Sequence, residues 1–381
     1  MKRWTIPVAA VLSLLLSGCG TGRGIYSNYR AIEELQIVQT LGADSAGGRL
    51  VLSAAAGRPR SGAAPLILRR AARGIPQGMD ALQERTPRGQ LYFAHTQYLV
   101  LGQAYAGGGL EEILDFVERD IHTRMGALLF VVRGGTAEAL ITGSGEEWDV
   151  SDVLSTVKAE TDRRGSVSVF DVRETAVALS EYGAALICAL KSVETEGSVF
   201  SVPAGRAAVP DGYGILKSGA LVGFLDGGQA EAASLLLGRM GTVTREVSVG
   251  GGTVTAEISC GSPVITLDRS AAGAPLLIVR AAPTAVIAAS DLPLAEIGDA
   301  ALTAALNETL QADLLRVLVR SQEENADFLA LGRALRMQGV DPASLPPDWL
   351  TSLLLQVRVE TLVRHSYDLG PQVGTDGGCA A

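Results

Sequence analysis

The chain has 381 residues, with 32 Lys+Arg against 41 Asp+Glu and a formal net charge of −9. That balance argues against a nucleic-acid partner, because binding phosphate backbones needs clustered cations. Hydrophobic residues reach 47% but aromatics only 5%, and four cysteines are too few for a disulfide framework, so the expectation is globular cores of aliphatic and small side chains.

Lys2 and Arg3 open the chain, Trp4 to Leu16 are almost continuously apolar, and Leu16-Ser17-Gly18-Cys19 follows. A basic start, a short apolar segment and small residues before a cut describe a secretory signal peptide over residues 1–18. The apolar segment is too short for a bilayer core, which needs about 20 residues. A buried helix beginning at residue 4 would explain neither the basic start nor the small residues. The more specific reading is the lipobox of bacterial lipoproteins, with Cys19 as the lipidation site. Two acyl chains or more hold a protein to a membrane where one binds only marginally. No later stretch is long and apolar enough to span. The expected arrangement is a chain anchored to the extracytoplasmic face through a Gly-rich tether, residues 19–30.

An N-terminal domain is expected over residues 31–195. Within it, 34–44 and 49–57 pair as a hairpin around "SAGG", 65–85 reads as helix, and "QLYFAHTQYLVLG" (90–102) as one strong strand. Residues 109–120 place Leu110, Ile113, Leu114 and Val117 on one helix face. Residues 127–134 form a buried strand, and helices lie near 149–163 and 171–182. A middle domain is expected over 196–262: a hairpin at 212–226 around Lys217-Ser218-Gly219, a helix over 228–241 stopping on Gly241, and two alternating strands at 244–260 joined through three glycines. A C-terminal domain, 263–370, begins with strands in "PVITLD" and "PLLIVRAAPTAVI". A long helix follows with Leu302, Leu306, Leu310 and Leu314 as one stripe, continuing towards 325–339. A closing strand spans 352–370, and 371–381 is expected to be a disordered tail.

Chemistry is sparse. His95, His122 and His365 are the only histidines, and no two lie at metal-ligand spacing. His95, inside an apolar strand, reads as a hydrogen-bonded structural side chain. There is no nucleophile elbow, no Walker spacing around Lys217, and no dinucleotide turn in either glycine triplet. The pairs Glu33-Glu34, Glu111-Glu112, Glu146-Glu147 and Glu323-Glu324 read as solvated faces. Cys188 and Cys260 could bond, but two buried free thiols fit better; Cys379 lies in the tail. No catalytic, metal or cofactor-binding residues are expected.

Several blocks, in order, resemble the Ger(x)C-type C-subunit lipoproteins of bacterial spore germinant receptors: the lipobox at Cys19, "AIEELQIVQTLGAD", "LYFAHTQYLVLG" with "GLEEILDFVERD", "GYGILKSGALVGFLDGGQAEAASLLLGRM", and "SQEENADFLALGRALRM" followed by Trp349 and "LQVRVETLVRHSYDLG". Asp327, Gly332, Trp349 and Gly370 stand at the positions of the C-terminal signature. The resemblance implies an α+β fold of three consecutive mixed domains, each a β-sheet covered by helices, with a long helix in the last. It also implies a non-enzymatic subunit working with integral membrane A- and B-type subunits in the spore inner membrane, in a complex that senses small nutrients and triggers release of ions and dipicolinate. The alternative is an extracytoplasmic solute-binding lipoprotein of a transporter, but such proteins show two lobes of alternating strand and helix, against which the hairpins and single long helix argue.

Overall fold

The computed structural model describes residues 35–57, 65–87, 89–120, 123–143, 149–195, 205–269, 275–291 and 297–364. The signal segment, Cys19, the tether, His122, His365 and the tail with Cys379 lie outside them. The architecture is mixed α+β, with three sheets among the described residues.

β1 (Leu35–Ala46) and β2 (Arg49–Ala56) form the N-terminal hairpin. Gly47 and Gly48 turn it with φ of 57° and 73°, the doubly left-handed turn that matches strand twist and that glycine adopts freely. β3 (Leu66–Ala72) pairs antiparallel with β2, and α1 follows at Ile75–Gln83. The helix expected over 65–85 is thus half strand. Pro76 sits in the first turn of α1, the one place where a helix tolerates its missing N–H, and Leu66–Ala72 ahead of it pair with β2.

β4 (Gln90–Tyr92) and β5 (Tyr98–Gly102) both run parallel to β1, beside Leu35–Ile37 and Thr40–Ala43. Five residues, 93–97, therefore bulge out against two of β1, and the single strand expected over 90–102 is interrupted. Next come α2 (Gln103–Gly108), α3 (Glu111–Arg119), β6 (Leu128–Val132), α4 (Ala137–Gly143), α5 (Val150–Arg164), α6 (Val172–Tyr182) and β7 (Ala184–Thr195). Asp149 caps α5 and Asp171, with Glu174, forms a capping box on α6, while Gly165 and Gly183 end the two helices in the left-handed region, as local sequence rules require.

β8 (Gly205–Lys217) and β9 (Ala220–Leu225) form the hairpin expected around Ser218-Gly219, but they join the first sheet, whose order is β3-β2-β1-β5-β6-β7-β8-β9 with β4 also on β1. The segment 196–262 therefore has no sheet of its own. The central pairs β1-β5-β6-β7 are parallel and the flanking pairs antiparallel. Parallel strands connect through helices that cover both faces, so the middle strands are buried throughout. Leu99, Leu101, Leu129 and Val131 pack beneath α1, α2, α3 and α6. Val100, Phe130, Val132 and Cys188 pack beneath α4 and α5 on the other face.

That second core does not stop at the first sheet. It runs on through α7 (Gly227–Leu236) and a three-stranded sheet of β12 (Val264–Asp268), β13 (Leu276–Ala281) and β15 (Leu354–Val359). α7 ends sooner than expected, because Gly238 already turns left-handed with φ 67°. A four-stranded sheet, β10-β11-β14-β16, comprises β10 (Thr242–Val249), β11 (Gly252–Ser259), β14 (Thr284–Ser290) and β16 (Leu362–Arg364). α8 (Asp299–Glu323) spans both cores: Leu302 and Leu306 cover the four-stranded sheet, whereas Leu314, Val317 and Leu318 enter the large one. The helix does not continue into 325–339. Asn325 and Ala330 are left-handed, with φ of 46° and 53°, and a new short helix, α9 (Leu331–Arg336), starts after them. α10 (Trp349–Ser352) completes the chain's helices among the described residues.

The expected closing strand is two strands in two sheets. β15 runs parallel to β13 and β16 runs parallel to β14. The change of sheet falls at Glu360-Thr361, alongside Ala282-Pro283 where β13 hands over to β14: Glu360 N donates to Ala281 O at 3.0 Å and Leu362 N to Pro283 O at 2.8 Å.

Candidate functional site

Among the described residues, no group of three His, Cys, Asp or Glu side chains is placed to hold a metal ion. His95 sits in the 93–97 bulge, exposed, with its ring 5.5 Å from that of Tyr92. It is a surface side chain and not the structural strand histidine expected. Cys188 and Cys260 are both free. Burial pushes the Cys188 thiol up to about 12, so it stays protonated and unreactive at neutral pH. Of the acidic pairs, Glu112 accepts a hydrogen bond from Ile75 N at 3.0 Å and Glu324 pairs with Arg320 at 2.7 Å; these are helix contacts.

The buried polar groups join segments distant in sequence. Tyr213 of β8 donates to Ser234 of α7 at 2.7 Å and accepts from Ser168 N at 2.6 Å, while Ser234 donates to Ser166 O. Asp313, in the middle of α8, accepts from Arg245 of β10 at 2.8 Å and from Arg316 one turn on, and Arg245 also pairs with Glu231 of α7. The Asp313 carboxylate lies so close to Gly228 that a Cβ there would meet its oxygens at 2.3 Å. Burial raises the Glu231 carboxyl, and the Arg245 guanidinium opposes that rise.

Asp327 accepts from Leu331 N at 2.7 Å and Gly332 N at 2.8 Å, occupying the free amides at the start of α9. Its site is almost fully enclosed, and burial lifts the carboxyl to about 7, with the two backbone N–H groups working in the other direction. In the unfolded chain this carboxyl has its ordinary value near 3.8. Between those two values the folded protein holds a proton that the unfolded chain does not, so stability declines as pH rises through that window and levels off above it. Replacing Asp327 with Asn is expected to remove this decline. The wild-type minus variant stability should fall by on the order of 2–4 kcal/mol between pH 4 and 8, measured by urea unfolding. A constant difference across that range would show that Asp327 does not titrate there.

Two surface features stand out. Where β9 meets α8, Val222, Leu315 and Val319 are exposed around Phe224, over which Arg133 stacks 4.8 Å from the ring centroid. On another side, α6, β7 and the 327–333 segment enclose a groove of about 230 Å³.

Residues 28–192 match a family model described as the spore germination protein N-terminal domain. Among solved structures, the fold is similar to the "Crystal Structure of the GerBC protein", with a TM-score of 0.55 and 17% identity over 85% of this chain and 96% of that one. No curated protein matches. Residues 28–192 thus carry a spore germination protein N-terminal domain, and the likeness to GerBC is one of fold. None of the chain's described helices is long and apolar enough to cross a membrane.

The Ger(x)C reading of the sequence left the Asp313 network unseen, although a signal was present. Leu306, Leu310 and Val317 follow helical spacing, and Asp313 fills the position between them that faces the core. A lone acid on an apolar face points to a buried partner; what the sequence could not supply was that the partner is Arg245, 68 residues earlier.

Proposed function

We propose that this chain is the lipid-anchored, non-enzymatic C subunit of a nutrient germinant receptor, held by acyl groups on Cys19 at the extracytoplasmic face of the spore inner membrane and bound there to integral membrane A- and B-type subunits. The single observation that carries this is the match of residues 28–192 to the spore germination domain. The likeness of the fold to GerBC, which reaches well beyond that domain, adds to it. The Leu-Ser-Gly-Cys sequence ahead of the fold supports the anchor. Confinement to the membrane raises the effective concentration of the chain near its partners, so weak contacts suffice.

Detergent-solubilised spore inner membranes should yield, with the affinity-tagged chain, two polytopic subunits identified by mass spectrometry. Recovery of a permease and an ATPase in their place would assign the chain to a transporter, and recovery of neither set would leave the receptor reading without its partners.

A further inference from the structure

The groove between α6, β7 and the 327–333 segment combines apolar and cationic side chains. Phe170, Leu237 and Phe328 contribute apolar lining, and Val177, 50% exposed, stands on the α6 side. Two guanidinium groups also line it, those of Arg239 and Arg333. Arg239 is fixed on two sides: it pairs with Glu174 at 2.6 Å and lies over the Phe170 ring, 5.3 Å from its centroid. A guanidinium has five N–H donors, and that single ion pair leaves most of them open. Arg333 has no side-chain hydrogen bond or ion pair among the described residues.

We propose that this groove binds a small monocarboxylate with an apolar body, the carboxylate held by Arg333 and Arg239 and the body lying on the phenyl rings of Phe170 and Phe328. Charge favours a monoanion. Glu174 offsets Arg239, and Arg333 has no ion-pair partner among the described residues. The other acid in the lining, Asp327, is turned to the amides of Leu331 and Gly332 and so takes up the donors that could otherwise have cradled a phosphate. Planar guanidinium groups match a carboxylate in geometry as well as charge. Size sets the rest. The volume of about 230 Å³ has room for a small organic acid.

The walls of the groove come from distant parts of the chain. α6 and β7 belong to the first sheet and its cover, whereas Asp327 to Arg333 follow the long helix. The two sides already touch through Arg336, which pairs with Glu181 at 2.9 Å and stacks on Tyr182. A carboxylate bridging Arg333 and Arg239 would add a second link beside that one, so occupancy would bias how tightly the α9 segment is held against α6.

The test is titration of the full chain with 4-methylpentanoate, followed by calorimetry and by chemical shifts of the groove methyl groups, with 3-methylbutylamine as the cationic counterpart. Saturable binding of the acid in the millimolar range, with none of the amine, is expected. Arg333→Ala should weaken it at least tenfold, and Val177→Asp, which sets a negative charge in the groove lining, should do likewise. Both side chains are exposed and carry no structural bond among the described residues, so unchanged melting temperatures should accompany the loss. No saturation up to about 50 mM acid, equal binding of acid and amine, or binding indifferent to both substitutions would each overturn the proposal. The measurement needs no receptor partner, so its failure would leave the receptor reading untouched.

Discussion

Asp313→Ala is expected to destabilise the protein by about 3 kcal/mol, the lower end of the cost of breaking a buried ion pair. The side chain is 4% exposed and that of its partner Arg245 18%, so the substitution strands a cation that water hardly reaches. The lower end applies because Arg245 keeps Glu231. The loss is a large fraction of the ~5–15 kcal/mol that hold a typical domain folded, and it falls where α7, β10 and α8 meet. The urea midpoint should drop with little change in slope. Arg316→Ala provides the comparison: Arg316 bonds the same carboxylate but is 61% exposed, and exposed pairs contribute about 1 kcal/mol or less. Should the two variants prove equally stable, the carboxylate does not clamp these three elements together.

Cys19→Ala should abolish the nutrient response of spores while leaving the fold intact. Cys19 lies well ahead of β1, whose first residue is Leu35. Among the described residues no helix offers a substitute membrane span. Each buried acyl CH₂ contributes about 0.8 kcal/mol to membrane binding, and losing every chain at once should release the protein from the bilayer. The effective concentration that lets weak contacts with membrane subunits persist disappears with it. Germination on nutrients should fall to the level of spores lacking the chain, whereas agents that bypass nutrient receptors should work as before. Immunoblots would establish equal protein levels, and mass spectrometry the absence of lipid. A full nutrient response from unlipidated protein would show the anchor to be dispensable.

Local signals were the most legible part of the fold. Helix ends marked by Asp149, Asp171, Gly165 and Gly183 and the hairpin glycines at 47–48 and 250–251 were all written in short stretches, because caps and turns depend on a few neighbouring residues. Partner choice was not. Nothing within 212–226 says that its hairpin should extend β7 and not found a new sheet, since an alternating strand can pair with any free edge. The 65–85 segment misled because Leu66, Ile67 and Leu68 satisfy either period, and the decision came from the edge of β2. The break after α8 was half legible: left-handed Asn325 is an ordinary helix stop, whereas Ala330 adopts the same backbone against local preference. Of the proposed site residues, Cys19 was the one the sequence suggested, because a lipobox is a contiguous motif. The groove is assembled from three separate stretches and carries no sequence signature.

The double handover of β13 to β14 and β15 to β16 has a consequence for the order of synthesis. Both smaller sheets receive a parallel strand from a single stretch, residues 354–364, among the last described residues to leave the ribosome. Until then Leu277, Val279, Ala285 and Ile287 lack neighbours on one side, and α8 has only half a bed for each of its two cores. Contacts of such long sequence separation form slowly. A chain built this way stays incompletely folded until translation is nearly finished, as the export implied by the proposed lipid anchor would require.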